Sequence, residues 1–191
     1  MGTILVAYGS KEGQTEKIAG RIAEALAAHG HDARTASVAD SDVGEALADA
    51  DAVLVGSSIH LGAHSKPVYE FVREHRDDIE ARPNGFFQVS LSSALDDEDA
   101  RAEVATYLDE FVEESGWHPE RMAAFGGALR YSEYGFLTRM MMKRIAKDAT
   151  GDTDASRDYE YTDWDEVESF AADFAEFVES TAGTAAGGAA V

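Results

Sequence analysis

Five short apolar runs, each followed by a stretch of helical periodicity, constrain this chain more than any other feature. Residues 3–8, 32–38, 52–58, 85–91 and 121–127 read as strands. Residues 15–29, 43–47, 67 to about 75, a segment ending at Glu114, and 163–179 read as helices. Gly30 and Gly116 stop two of them, and Pro67 opens another. This alternation predicts an α/β fold with a parallel sheet covered on both faces. The run Ala52, Val53, Leu54, Val55 has no polar interruption, as expected of a central, doubly covered strand. Five strands in this rhythm fit the doubly wound order 2-1-3-4-5, with ligands expected at the carboxyl ends of strands one and three. Residues 1–180 form one expected domain, with a long insertion at 128–160. Residues 181–191, made of Ala, Gly, Thr and Val without charge, read as a disordered tail.

The first strand runs into Gly9, Ser10, Lys11, Glu12, Gly13, Gln14 and Thr15, and then into a helix. A helix N-terminus offers unpaired backbone N–H groups and the positive end of its dipole, so such a turn suits an anion. Ser10 and Thr15 add hydroxyls, and Gly13 lets the backbone approach a ligand. The Gly-Lys-Ser/Thr ending of a P-loop and the G-x-G-x-x-G of a dinucleotide fold are both missing. A hydroxyl-rich turn without a committed cation suits a single terminal phosphate, as in FMN. The plain alternative is a turn that only caps its helix. The polar loops at 57–65 and 90–97 fall on the same predicted sheet edge, and this convergence favours the phosphate.

The chain has 191 residues, 37 Asp and Glu against 16 Lys and Arg, and no cysteine. The formal net charge of -21 argues against nucleic-acid binding. With 45% hydrophobic residues the chain is not a disordered polyanion. Adaptation to high salt, which screens self-repulsion, accounts for it; an acidic mesophilic protein is the alternative. Without cysteine there is no disulfide, thiolate metal site or redox thiol, so redox chemistry requires a bound cofactor. No apolar run reaches 18 residues, so a soluble, cytoplasmic protein is expected. One stretch opposes the general charge. Residues 130–147 hold five basic side chains (Arg130, Arg139, Lys143, Arg144, Lys147) and one acidic, Glu133. Leu137, Met141, Met142 and Ile145 share one side of a predicted helix there, with Arg139, Lys143 and Lys147 on the other. Such a helix can grip a carboxylate-bearing substrate, rest peripherally on the inner face of the cell membrane through 136–147, or simply pack on the domain.

Four motifs carry a resemblance: Glu12-Gly13-Gln14-Thr15, Gly56-Ser57-Ser58-Ile59, Gly126-Gly127-Ala128-Leu129-Arg130-Tyr131, and Tyr161-Thr162-Asp163-Trp164. On these the chain resembles the flavodoxin-like family, and within it the flavodoxin-type, menaquinone-dependent protoporphyrinogen IX dehydrogenases of haem synthesis. The acidic excess and the Ala/Gly tail look haloarchaeal. The resemblance implies noncovalent FMN, a porphyrinogen substrate and a quinone or other electron acceptor. It places Ser10, Lys11, Glu12, Gly13, Gln14 and Thr15 at the phosphate. Ser57, Ser58, Ile59, His60, Gly62, Ser90, Leu91 and Ser92 would follow the ribityl chain and ring. Glu12 is expected to point outward, away from a dianion. Loops 57–65 and 90–97 contain no Trp, Tyr or Phe, leaving a flavin face open to a planar substrate. His60 and His64 read as exposed loop histidines without an acidic neighbour, a redox role for either being the alternative, and no metal-ligand constellation is visible. Arg130 is the expected contact for a substrate carboxylate, and Tyr131 would stack or orient. A flavodoxin-like electron carrier, and a binding module without FMN, are the competing functions.

Overall fold

A computed structural model describes residues 1–129, 154 and 156–187. Its strands are β1 (Thr3–Gly9), β2 (Asp32–Ser37), β3 (Ala52–His60), β4 (Ala63–His64), β5 (Asn84–Ser90), β6 (Arg121–Gly126), β7 (Ala128–Leu129) and β8 (Tyr159–Glu160). The helices are α1 (Gln14–Ala28), α2 (Val43–Ala48), α3 (Lys66–Glu80), α4 (Glu98–Ser115) and α5 (Trp164–Gly187). The main sheet runs β2-β1-β3-β5-β6, all parallel, with β4 added antiparallel to β3. The five parallel strands therefore have the expected 2-1-3-4-5 order.

The alternation of side chains along each strand builds two cores. Ile4, Val6, Ala52, Leu54 and Phe87 face α1 and α5, where Ile18, Ile22, Leu26, Val167 and Phe174 complete one layer. Leu5, Ala7, Val53, Val55 and Phe86 face the other way, onto Val68, Val72, Ile79 and Phe111. Both faces of β3 are covered, which is why its sequence is apolar at successive positions. Phe86 and Phe111 stack with centroids 3.9 Å apart, locking α4 onto β5.

Three element boundaries differ from the sequence reading. The third helix does not end near His75. His75 departs from helical geometry (φ -111°, ψ 16°), but α3 continues to Glu80 because Ile79 is drawn fully into the core. The third strand continues past Ser58 to His60 and returns through Leu61 and Gly62 into β4. Helix α5 runs to Gly187, so the tail expected to begin at Thr181 is helical over its first seven residues. Alanine favours a helix once one has been nucleated, and α5 enters this stretch already packed through Val178.

Candidate functional site

The ends of β1, β3 and β5 open on one cavity of ≈ 1210 Å³. The β1–α1 turn forms its first wall. Gly13 sits in the left-handed region (φ 83°) at the start of α1 and has no side chain to cap the helix. The first helical bond is donated by Lys17 N–H to Gly13 O at 3.0 Å. The amides of Gln14, Thr15 and Glu16 consequently have no intrahelical acceptor. Gly13 N–H donates to Ser10 Oγ at 3.0 Å, which leaves the Ser10 hydroxyl proton for a ligand. Thr15 Oγ1 is buried and has no partner among the described residues. A buried hydroxyl with no acceptor is costly. Its position on the cavity wall at a helix N-terminus, beside uncapped amides, fits a phosphate. The residues present therefore fit the terminal phosphate of FMN.

Ser10, Lys11, Glu12, Gln14, Thr15, Ser58, Ile59, His60, Gly62, Ser90, Leu91 and Ser92 all line this cavity. Two expected ligands stand behind the wall. Gly13 shapes the turn. Ser57 is fully buried in β3, and its Oγ accepts the Ser65 N–H at 3.1 Å, fastening the start of α3. Ser90 lines the cavity but is also committed. Its Oγ lies 2.7 Å from Ser93 Oγ and accepts the Ser93 N–H at 3.1 Å, which builds the 3-10 turn Ser92–Ala94. Arg130 and Tyr131, and the basic stretch 130–147, lie outside the described residues.

Glu12 does not point outward. It is on the cavity wall, with Oε1 3.3 Å from His60 Nδ1, and both side chains are only one-fifth exposed. The strand register explains the contact. Gly9 pairs with Ser57, so the chain three residues beyond each delivers Glu12 and His60 side by side. The expectation of two exposed histidines without an acidic neighbour is therefore overturned. His64 lies in β4, 7% exposed, with Phe111, Phe86, Tyr69 and Tyr107 rings around it. Its Nε2 lies 3.0 Å from the Tyr107 carbonyl, to which it donates. Burial pushes this imidazole down to about 4, so it is neutral at ordinary pH.

The sequence reading missed the wall supplied by α4. Ala100, Glu103 and Tyr107 follow one another on a single helix face and border the cavity. The helical spacing of these three, next to the acidic loop, is the signal that marks them. Tyr107 OH donates to Glu103 Oε1 at 2.9 Å, and Ser92 Oγ donates to Glu103 Oε2. Burial, with Glu103 beside it, pushes the Tyr107 phenol up to about 12. The two loops contribute no aromatic ring, but this helix does. Leu61 also borders the cavity. It is 57% exposed and held at φ 53°, so the β3–β4 turn has two consecutive left-handed residues, Leu61 and Gly62.

The last wall is the root of the insertion. Gly127 and Ala128 line the cavity, and β7 pairs antiparallel with β8 to form a two-stranded neck. Gly126 is sterically required and Gly127 is closely packed. A Cβ on Gly126 would overlap the Tyr161 carbonyl, and one on Gly127 would come within 3.4 Å of the Ser90 carbonyl oxygen. Gln14 Nε2 donates to Thr162 Oγ1 at 2.7 Å, and Thr162 Oγ1 donates to Gly126 O at 2.6 Å. Lys17 pairs with Glu160 at 2.6 Å and lies 5.0 Å from the Trp164 ring centroid. Although burial opposes it, Lys17 holds the Glu160 carboxyl below its ordinary value. The neck is thus fastened to the start of α1, beside the phosphate cradle.

The flavodoxin domain model matches residues 5–156. The protoporphyrinogen IX dehydrogenase (quinone) of Escherichia coli K12 is 33% identical over 175 residues, covering 92% of this chain and 96% of that protein. The chain belongs to the flavodoxin-domain family that contains these dehydrogenases. The corresponding protein of Leishmania major is 35% identical over 173 residues, 90% of this chain and 74% of that one. Among solved structures, a short-chain flavodoxin associated with a PDU bacterial microcompartment superposes with a TM-score of 0.57 at 15% identity, covering 95% and 99% of the two chains. That last likeness is one of flavodoxin fold alone. No helix among the described residues is long and apolar enough to cross a membrane.

Proposed function

We propose that this protein oxidises protoporphyrinogen IX to protoporphyrin IX, with bound FMN and a quinone as electron acceptor. The observation that carries the reading is the extent of the likeness to the dehydrogenases. It spans nearly the whole of both chains, the long segment after β6 included, and not the flavodoxin core alone. The cavity supports it. At ≈ 1210 Å³ it exceeds the roughly 300–1,000 Å³ of a site for one small ligand, so a substrate fits beside a cofactor.

Thr15 Oγ1, Ser10 Oγ and the first amides of α1 would hold the phosphate. Residues 58–62 and 90–92 would flank the rest of the cofactor. FMN supplies the two-electron acceptor, and the protein supplies position, charge and exclusion of water. Tyr107 and Leu61 offer apolar surface to a tetrapyrrole. The acidic α4 wall turns the substrate's propionates away, towards the neck. Arg130 follows Leu129 of that neck in the chain, and we assign it the propionate contact, with Tyr131 next to it as an orienting ring.

The test is direct. The protein is purified in high salt, its flavin spectrum is recorded, and protoporphyrinogen oxidation is followed by porphyrin fluorescence with a quinone present. Porphyrin formation that needs both FMN and quinone supports the reading. A yellow protein that exchanges electrons but leaves the porphyrinogen untouched is an electron carrier instead. Arg130→Ala with unchanged KM and kcat removes the propionate contact.

A further inference from the structure

We propose that His60, oriented by Glu12, accepts the proton that leaves the porphyrinogen during its oxidation. The proposal rests on the functional reading above and supplies what that reading lacks, a base. The two side chains come from the β1–α1 turn and the end of β3, meet at 3.3 Å, and are both largely shielded on the cavity wall. A carboxylate turned inward next to a phosphate cradle is electrostatically unfavourable by itself. Its contact with an imidazole gives it a function there.

Glu12 Oε1 lies 3.3 Å from Nδ1, and a proton held on Nδ1 facing that carboxylate would select the tautomer in which Nε2 carries the free lone pair. A carboxylate that orients a histidine in this way also stabilises the imidazolium formed when Nε2 takes a proton. Glu98 and Asp99 also border the cavity but are exposed, and four other titratable groups on the wall are poorly suited. Tyr107 keeps its proton, with a pKa pushed up to about 12, and donates it to Glu103. Glu103 already accepts from both Tyr107 and Ser92. Asp97 accepts the Ala100 N–H at 2.8 Å as the cap of α4. Lys11 is a cation with no lone pair to offer.

In one round of oxidation, a bridge carbon of the porphyrinogen loses a hydrogen together with its bonding electron pair, for which FMN, when bound, would supply the two-electron acceptor. The N–H bond of an adjoining pyrrole breaks at the same time. Its electron pair stays on the macrocycle and completes the new conjugation, while the proton forms an N–H bond at His60 Nε2. The imidazolium then returns the proton to solvent through the open side of the cavity. The quinone would be the final acceptor of that electron pair and, with two protons, would leave as the quinol. His60 touches the substrate in this scheme, and Glu12 is a positioning residue.

The experiment compares wild type, His60→Ala and Glu12→Gln, each loaded with FMN. His60→Ala is expected to lose about 100-fold or more in kcat, the ordinary contribution of a positioned base. FMN affinity is measured for each protein by fluorescence quenching, and kcat is compared at saturating FMN. Imidazole added to the buffer should restore part of the lost rate. Glu12→Gln should lower kcat less. Nitrogen NMR of the FMN-free protein provides a readout independent of turnover. It should show His60 with the proton on Nδ1 in wild type, and a mixture of tautomers in Glu12→Gln. Unchanged kcat in His60→Ala, or a loss that imidazole does not relieve, overturns the proposal. So does a wild-type tautomer protonated on Nε2. A wild type that binds FMN yet forms no porphyrin refutes the functional reading itself, and with it the role of His60.

Discussion

The buried His64 makes stability depend on pH in a calculable way. Its ring lies among Phe86, Phe111, Tyr69 and Tyr107, and its Nε2–H is used by the Tyr107 carbonyl. Burial lowers its pKa from 6.5 to about 4. The unfolded chain therefore binds a proton between these values while the folded protein does not. The contribution is fully present above pH 6.5 and is lost as pH falls towards 4. The whole gap is equivalent to about 3 kcal/mol, of which about 2 kcal/mol is gone by pH 5. That is a large part of the stability of a domain. His64→Phe keeps a ring in the cluster and has no proton to take up. Urea unfolding in concentrated KCl, followed by circular dichroism at pH 7.5 and pH 5, measures both proteins. Wild type should lose about 2 kcal/mol more than the variant between the two pH values. Carboxylates common to both proteins cancel in that difference. Equal losses would mean that His64 is hydrated or protonated in the folded state, and the placement of β4 against α4 would be wrong.

Thr15→Val removes a buried hydroxyl that has no partner among the described residues. Without FMN the variant should be as stable as wild type or more so, while FMN binding weakens by about tenfold or more, read by thermal unfolding and fluorescence titration. Thr162→Val breaks the chain from Gln14 through Thr162 to Gly126 and should cost about 1–3 kcal/mol in urea unfolding. Gly126→Ala forces a methyl group onto the Tyr161 carbonyl and should both destabilise the fold and impair turnover, because the neck bordering the cavity must shift. With a net charge of -21, the unfolding midpoint should rise with KCl as screening shortens towards about 3 Å at 1 M.

The order of the sheet and the position of the site follow from local pattern. Apolar runs, Gly30, Gly116 and Pro67 are short-range signals, and doubly wound topology brings the three loops together. The pairs that give the site its chemistry do not follow from local pattern. Glu12 and His60 are 48 positions apart, and they meet because Gly9 is level with Ser57. Moving that register by one residue would separate the two side chains without altering any motif in either loop. His64 is similar. Its neighbours make it resemble a loop residue, since the Leu61–Gly62 turn uses a leucine where asparagine or glycine is the usual signal. Only the pairing of Ile59 with His64 turns its ring under α4, onto Phe111 and the Tyr107 carbonyl. Two histidines four residues apart thus have opposite roles. His64 is held neutral in the core and is acid-sensitive only through stability. His60 stands on the cavity wall with a carboxylate behind it, where a proton leaving a substrate can reach it. Substituting both residues separates the roles. The His64 variant should change the pH dependence of unfolding with FMN bound or absent, whereas the His60 variant should change turnover.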